Sequence, residues 1–177
     1  MSDDLYGRII DERGSFPNLL SRIPLLGDNI ESYFDMSAQR DADRIIREHV
    51  AGLLRQEINR FAGAENIILD NGGLKVMSKT RSVKQMLQTL ADRIGTAAPG
   101  YAFSGALKVG QDELADIYAF DEAMLRYAEQ ISVSVDGLIA AANANDGIDE
   151  ALTTLRGVII EADQAFSLRK NVINGLV

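Results

Sequence analysis

The sequence has no cysteine and no tryptophan, one histidine, three prolines and only 6% aromatic residues over 177 positions. Each scarcity removes a class of chemistry. Without cysteine there is no disulfide framework, no thiolate metal site and no cysteine nucleophile. His49 is the single imidazole, so any site built from two or more histidines is excluded, the two-His zinc centres included. Basic charge is scarce too: 18 Lys and Arg stand against 26 Asp and Glu, for a net charge of −8. A nucleic-acid binder needs a basic surface to neutralise phosphates, so the charge argues against that class and no nucleic-acid partner is expected. Long apolar runs are missing. A membrane-spanning helix needs about 18 or more consecutive apolar residues, and the most apolar window, Leu138 to Ala142, is far shorter. Met1 to Gly14 carries four acids and two arginines, with no apolar run behind a basic start, unlike a secretory signal. A cytoplasmic protein is the expectation.

What is present is helical periodicity. Apolar residues make up 46% of the chain. At this length folding removes roughly 70% of the unfolded surface from water, so one domain over residues 1–177 can hold a core without staples. Residues 1–27 are broken by Gly7, Gly14, Pro17, Pro24 and Gly27 and read as an irregular docking extension with short helical turns at most. Leu19, Leu20, Ile23 and Leu26 make this segment apolar enough to dock on something. Asp28 with Glu31 resembles a capping box, and a first long helix is expected over about 29–68, ended by Asn71-Gly72-Gly73. Val76, Thr80, Val83, Leu87, Leu90 and Ile94 define a second helix over 76–94. The segment 95–110 is a long Gly/Pro-containing linker.

Two further helices have strict 3/4 seams. Over 112–143 the seam is Leu114, Ile117, Asp121, Met124, Ala128, Ile131, Val135, Leu138, Ala142. Over 148–174 it is Ile148, Leu152, Leu155, Ile159, Ala162, Phe166, Arg169, Ile173. Such alternation is the signature of bundle packing. The expected fold is all-α, an antiparallel four-helix bundle with an N-terminal extension.

Two charges break the last two seams. If those helices form a hairpin turning near Asn145, Asp121 lies 24 residues before the turn and Arg169 lies 24 after it. Both then fall at one level on facing seams, which predicts an Asp121–Arg169 ion pair, partly or fully buried. It reads as a register device that fixes helix pairing; the alternative is a catalytic carboxylate.

No other constellation assembles a catalytic site. A ferritin-like di-metal centre needs Glu-x-x-His on two helices, and Ile46 stands three residues before His49. Asp112, Glu113, Asp116, Asp121 and Glu122 could form a carboxylate-only metal site, but most lie off the seam and read as a solvated face. His49 sits beside Ile45, Ile46 and Leu53 as a boundary histidine. No P-loop and no strand-linked G-x-G-x-x-G exists, and Ser104 has no nucleophile elbow. No catalytic residue, metal or cofactor is expected. The charged run Gln39 to Glu48, with Asp43 and Arg47 an i,i+4 pair, reads as a solvated helix face or a partner-docking one.

Phe120, Ala123 and Tyr127 form a second apolar stripe beside the seam of the 112–143 helix. Either residues 16–27 or the Tyr101–Phe103 linker cover it, or it is exposed and binds a partner or a second copy. Charge is uneven as well. Residues 1–99 hold 13 bases and 14 acids, net −1, and residues 100–177 hold 5 and 12, net −7. The second half would suit a basic protein partner.

Several short motifs stand in order: Leu19-Leu20-x-Arg22-Ile23 with Leu26-Gly27, Arg40-x-Ala42-Asp43-x-x-x-Arg47, Pro99-Gly100-Tyr101-Ala102, Tyr118-x-Phe120-Asp121 and Phe166-x-x-Arg169. Together they resemble an uncharacterised family of small bacterial all-helical proteins, loosely associated with phage-shock-type and flotillin-type membrane-stress proteins. The resemblance implies no activity and no catalytic residues. It implies that Arg47, Asp121, Arg169 and the Gly100-Tyr101 linker form a structural core.

The leading functional expectation is a non-enzymatic interaction or scaffold protein, with a protein partner or a homo-oligomer. A second is a peripheral membrane-associated factor anchored by residues 16–34. Charge disfavours it, since residues 1–34 hold six acids against three arginines. A third is an enzyme or small-molecule binder with a cavity inside the bundle.

Overall fold

The computed structural model describes residues 2–11, 16–23, 36–98 and 111–173. Among these residues there are six α-helices and no strand: α1 (Ser2–Asp11), α2 (Phe16–Arg22), α3 (Met36–Asp70), α4 (Met77–Thr96), α5 (Gln111–Ala144) and α6 (Ile148–Ile173), with a 3-10 turn at Leu74–Val76. The architecture is an all-α bundle. The four long helices stay close to their expected bounds, and the stretch 29–35, with its Asp28 cap, lies outside the described residues. The extension departs from the irregular reading, because α1 is a ten-residue helix and α2 a seven-residue one.

Two hairpins build the bundle, and both turn by the same device. After α3, Gly72 takes the left-handed conformation (φ 78°), Gly73 N donates to Ile68 O at 2.8 Å and Gly72 N to Leu69 O at 3.0 Å. After α5, Asn145 takes it (φ 53°), Asp146 N donates to Ala141 O at 3.1 Å and Asn145 N to Ala142 O at 3.2 Å. Both are Schellman ends, which satisfy carbonyls that the last helical turn leaves without partners.

Within each hairpin the helices are antiparallel; between hairpins like directions lie side by side. Arg60 on α3 reaches Ser132 on α5 (3.1 Å), and Asn71 at the end of α3 donates to Ala142 O at the end of α5 (3.1 Å), so α3 and α5 run parallel. Lys79 bonds Asp149 (2.7 Å) and Arg93 bonds Asp163, so α4 and α6 also run parallel. Packing follows the ring α3–α4–α6–α5, which leaves α4 and α5 diagonal. The connection from Thr96 to Gln111 therefore joins diagonal helices, which accounts for its length.

The core is the sum of the seams. Thr80, Val83, Leu87, Leu90 and Ile94 are buried on α4, and every seam residue of α6 from Ile148 to Ile173 is buried. On α5 the seam is buried from Ile117 to Ala142. The α3 stripe that points inward is Asp43, Arg47, Val50, Leu54, Glu57, Phe61, Ala64 and Ile68, all buried and spaced in strict 4/3 alternation.

Candidate functional site

The densest polar chemistry lies inside the bundle, at the end where α3 and α5 begin and α4 and α6 finish. The 3/4 geometry of α3 places Asp43 and Arg47 one turn apart on its inward stripe. The Arg47 Nε donates to Asp43 Oδ2 at 2.9 Å, and its Nη1 donates to the Ile94 carbonyl at 3.3 Å. That carbonyl belongs to the last turn of α4, where carbonyls lack helical partners and a cation is favoured. From α6, Arg169 donates through Nε to Asp121 Oδ1 on α5 and through Nη2 to Asp43 Oδ1 on α3, both at 2.5 Å. Four charged side chains and one carbonyl thus join all four long helices.

The structure therefore brings Asp121 and Arg169 together at one level. It also places Asp43 and Arg47 beside them, where the sequence reading had a solvated or docking face. Relative exposures are 4% for Asp43, 6% for Arg47, 1% for Asp121 and 4% for Arg169. Two positive and two negative side chains balance, so the cluster itself carries no net charge. Such balance matters because an unpaired buried ion is costly.

The two carboxylates titrate in opposite directions although they share one guanidinium. Burial pushes Asp121 up to about 6, with the Arg169 charge and hydrogen bond working against it and Asp43 adding to it. Burial also works upward on Asp43, but Arg169 and Arg47 together outweigh it and hold the group below the usual carboxylate range. The difference is one of company: Asp43 binds a cation on each oxygen, and Asp121 binds one. For Arg169 burial opposes the charge, but the two carboxylates hold its pKa above the usual arginine value. Tyr118 neighbours Asp121, and burial followed by that charge raises its hydroxyl.

This cluster is closed. Its members are buried and bonded to one another, and their bonds join all four long helices. Among the described residues no group of three or more His, Cys, Asp or Glu could hold a metal ion. Of the expected carboxylate face, Asp121 and Glu122 are buried and Asp116 is half-buried; the side chains of Asp112 and Glu113 lie outside the described ones. The helix is wrapped there on several sides, not solvated. His49 is half-buried, and burial lowers its pKa, which keeps the ring neutral at pH 7.

The second stripe is covered. Phe120 is 0% exposed, Ala123 1% and Tyr127 8%, which is the covered alternative of the two and not the open interaction stripe. The cover is α1, not residues 16–27 alone. Leu5 and Ile9 are buried, and the Tyr6 and Phe120 rings lie 5.8 Å apart, tilted by 45°. The Tyr127 hydroxyl donates to Glu161 Oε2 at 3.2 Å, and burial followed by that carboxylate pushes it up to about 12. On α2, Leu19 and Ile23 are fully buried, Leu20 is half-buried, and Arg22 bonds Glu129 of α5 at 2.6 Å. Leu26 and the Tyr101–Phe103 linker lie outside the described residues.

Grooves of mixed lining lie elsewhere on the surface. Met86 and Ile160, with Gln85, Thr89 and Gln164, line a groove of about 470 Å³ between α4 and α6, flanked by the Arg93–Asp163 pair. Val133, 69% exposed, and Val158 line a second groove of about 400 Å³. Among the described residues, no helix is long and apolar enough to cross a membrane.

No protein-family model, no curated protein and no solved structure matches this chain.

Proposed function

We propose that the protein is a non-enzymatic interaction or scaffold protein that works through its helix faces, in the cytoplasm, with a protein partner or a second copy as its ligand. The observation that carries this reading is the closed cluster. The side chains best suited to acid–base work, Asp43 and Asp121, are buried and committed to Arg47 and Arg169. Chemistry that reaches other molecules is left to the outward faces, where two grooves combine a few apolar side chains with polar and charged ones. An anchor built on residues 16–34 is less favoured, because Leu19 and Ile23 face the bundle and not a lipid phase.

The test is co-purification from the native host with face variants. Met86→Asp with Ile160→Asp alters the α4–α6 groove, and Val133→Asp alters the second one. The reading expects a partner that is recovered with the intact chain and lost with at least one variant of unchanged circular dichroism. Recovery that is the same for every variant, or no enriched partner at all, would contradict it.

A further inference from the structure

One groove of the bundle is filled over only part of its length. It runs between α5 and α6, and α1 packs against both helices at the end where α5 begins. On α5 the groove follows one stripe, Ala123, Arg126, Gln130, Val133, Gly137 and Ala140, in strict 3/4 alternation. Ala123 is buried, whereas Gln130, Val133, Gly137 and Ala140 are exposed, Val133 at 69%. The same change runs along α6, from fully buried Ala165 to half-buried Val158 and exposed Thr154. The open part holds the cleft of about 400 Å³, where Val133 and Val158 lie among Gln130, Ser134, Arg126 and Glu129. A glycine inside a helix weakens it relative to alanine. Nothing in this chain calls for one at Gly137, since a Cβ there would meet no atom within 4 Å. What glycine offers at such a place is the close approach of another backbone.

We infer that the open part of the α5–α6 groove, around Val133, Gly137 and Val158, receives a basic amphipathic helix of another protein. The inference rests on the reading that the protein works through its helix faces, and it names the chemistry of the partner. The form of the occupant is argued from continuity. The part already filled is filled by a helix, whose Leu5 and Ile9, one turn apart, are buried. The sign of the occupant is argued from charge. From Arg126 to Asp163 the two helices hold seven acids against two bases. Four of those acids are paired to Arg22, Arg60, Lys79 and Arg93 of other elements. Glu150 and Glu161 have no cation bonded to them among the described residues; Glu161 accepts only from the Tyr127 hydroxyl. These two are eleven residues apart, three helical turns, so they stand on one line along α6, about 16 Å from end to end. Thr154 and Val158 lie between them. A partner helix with two cations at that spacing meets both acids while its apolar side enters the cleft. A second copy brings the same excess of acids to this face, and anionic lipid and nucleic acid are repelled by it.

The experiment uses the full chain with its valine methyls labelled for NMR, and two synthetic helical peptides as probes. Both carry leucines along one stripe. Beside the stripe, three turns apart, the first has two lysines and the second two glutamates. The lysine peptide should shift the Val133 and Val158 methyl signals. It should bind roughly tenfold or more tightly than the glutamate peptide, with the advantage shrinking in high salt. Glu150→Lys, at an exposed and unbonded position, should narrow or reverse that preference. Gly137→Leu places a better helix former on the stripe; it should keep the helicity and weaken the lysine peptide by roughly tenfold or more. Met86→Asp, in the α4–α6 groove, should leave the affinity unchanged. Four results would each overturn the inference: no shift at Val133 and Val158, equal affinity for the two peptides, full affinity in Gly137→Leu, or Val133 signals that move with protein concentration when no peptide is present. The last would assign the face to a second copy. The functional reading fails separately, when no partner from the native host responds to a variant of either groove.

Discussion

Replacing Arg169 with Met keeps most of the side-chain volume and removes the charge that joins Asp121 to Asp43. Asp43 retains Arg47 at 2.9 Å, so Asp121 is the group left without a direct cation. Breaking a buried pair by removing one partner costs about 3–5 kcal/mol. For a domain of this size each kcal/mol lowers Tm by about 2–4 °C, so the expected fall is roughly 6–20 °C. The loss should also depend on pH with a definite sign. Asp121 already titrates near 6 in the presence of Arg169, above its ordinary value of 3.8, and loss of the cation pushes it further up. Between the unfolded and folded values the native state binds more protons than the unfolded one. Stability then falls as pH rises through that window, by about 1.4 kcal/mol per pH unit for one full proton. Urea denaturation followed by circular dichroism at pH 5 and pH 8 measures this directly. Arg169→Met should be much closer to the native protein at pH 5 than at pH 8. Adding Asp121→Asn should recover much of the loss at pH 8, because the orphaned charge is gone. A loss below about 1 kcal/mol would refute the reasoning, as would a pH-independent loss or further destabilisation by the second substitution.

Other consequences follow from the same geometry. Asp43 has the opposite linkage: its folded value is depressed, so its contribution is present above about pH 4 and disappears as pH falls through that folded value. Asp43→Asn should flatten the acid limb of the stability curve measured by urea titration. The Lys79–Asp149 pair is solvent-facing, and Lys79→Ala should cost only about 0.2–1 kcal/mol and less in high salt. Gly72 sits at φ 78°, and Gly72→Ala should cost about 1–2 kcal/mol in the same assay with helical content unchanged.

Much of this architecture is legible in the periodicity. The α4, α5 and α6 seams name the residues that become the core, and the equal distances of Asp121 and Arg169 from the Asn145 turn place them at one level. On α3 the informative stripe is Asp43, Arg47, Val50, Leu54, Glu57, Phe61, Ala64 and Ile68. Its 4/3 alternation is as regular as those of α5 and α6, but two apolar rows, with Ile45, Ile46 and Leu53, run beside it and mask the charged one. A charged pair in a helical seam is a signal in its own right when a second seam offers its complement. Two features are not legible because they depend on partners. Periodicity says which face is buried but not against which helix, so the parallel contacts of α3 with α5 and α4 with α6 leave no mark. The α1 helix is short and opens with two acids, Asp3 and Asp4, and its stability comes from the stripe it covers.

The central claim is that the buried charges serve the packing of the bundle and the faces carry the function. One variant tests it most directly: Asp43→Leu, Arg47→Met, Asp121→Leu and Arg169→Met together. Replacing a whole buried ionic cluster by well-packed hydrophobic groups of similar volume is often neutral or stabilising, so this chain should fold. The measurement is recovery of the partner from the native host. The account predicts recovery equal to that of the native chain; a folded variant that no longer recovers the partner would contradict it.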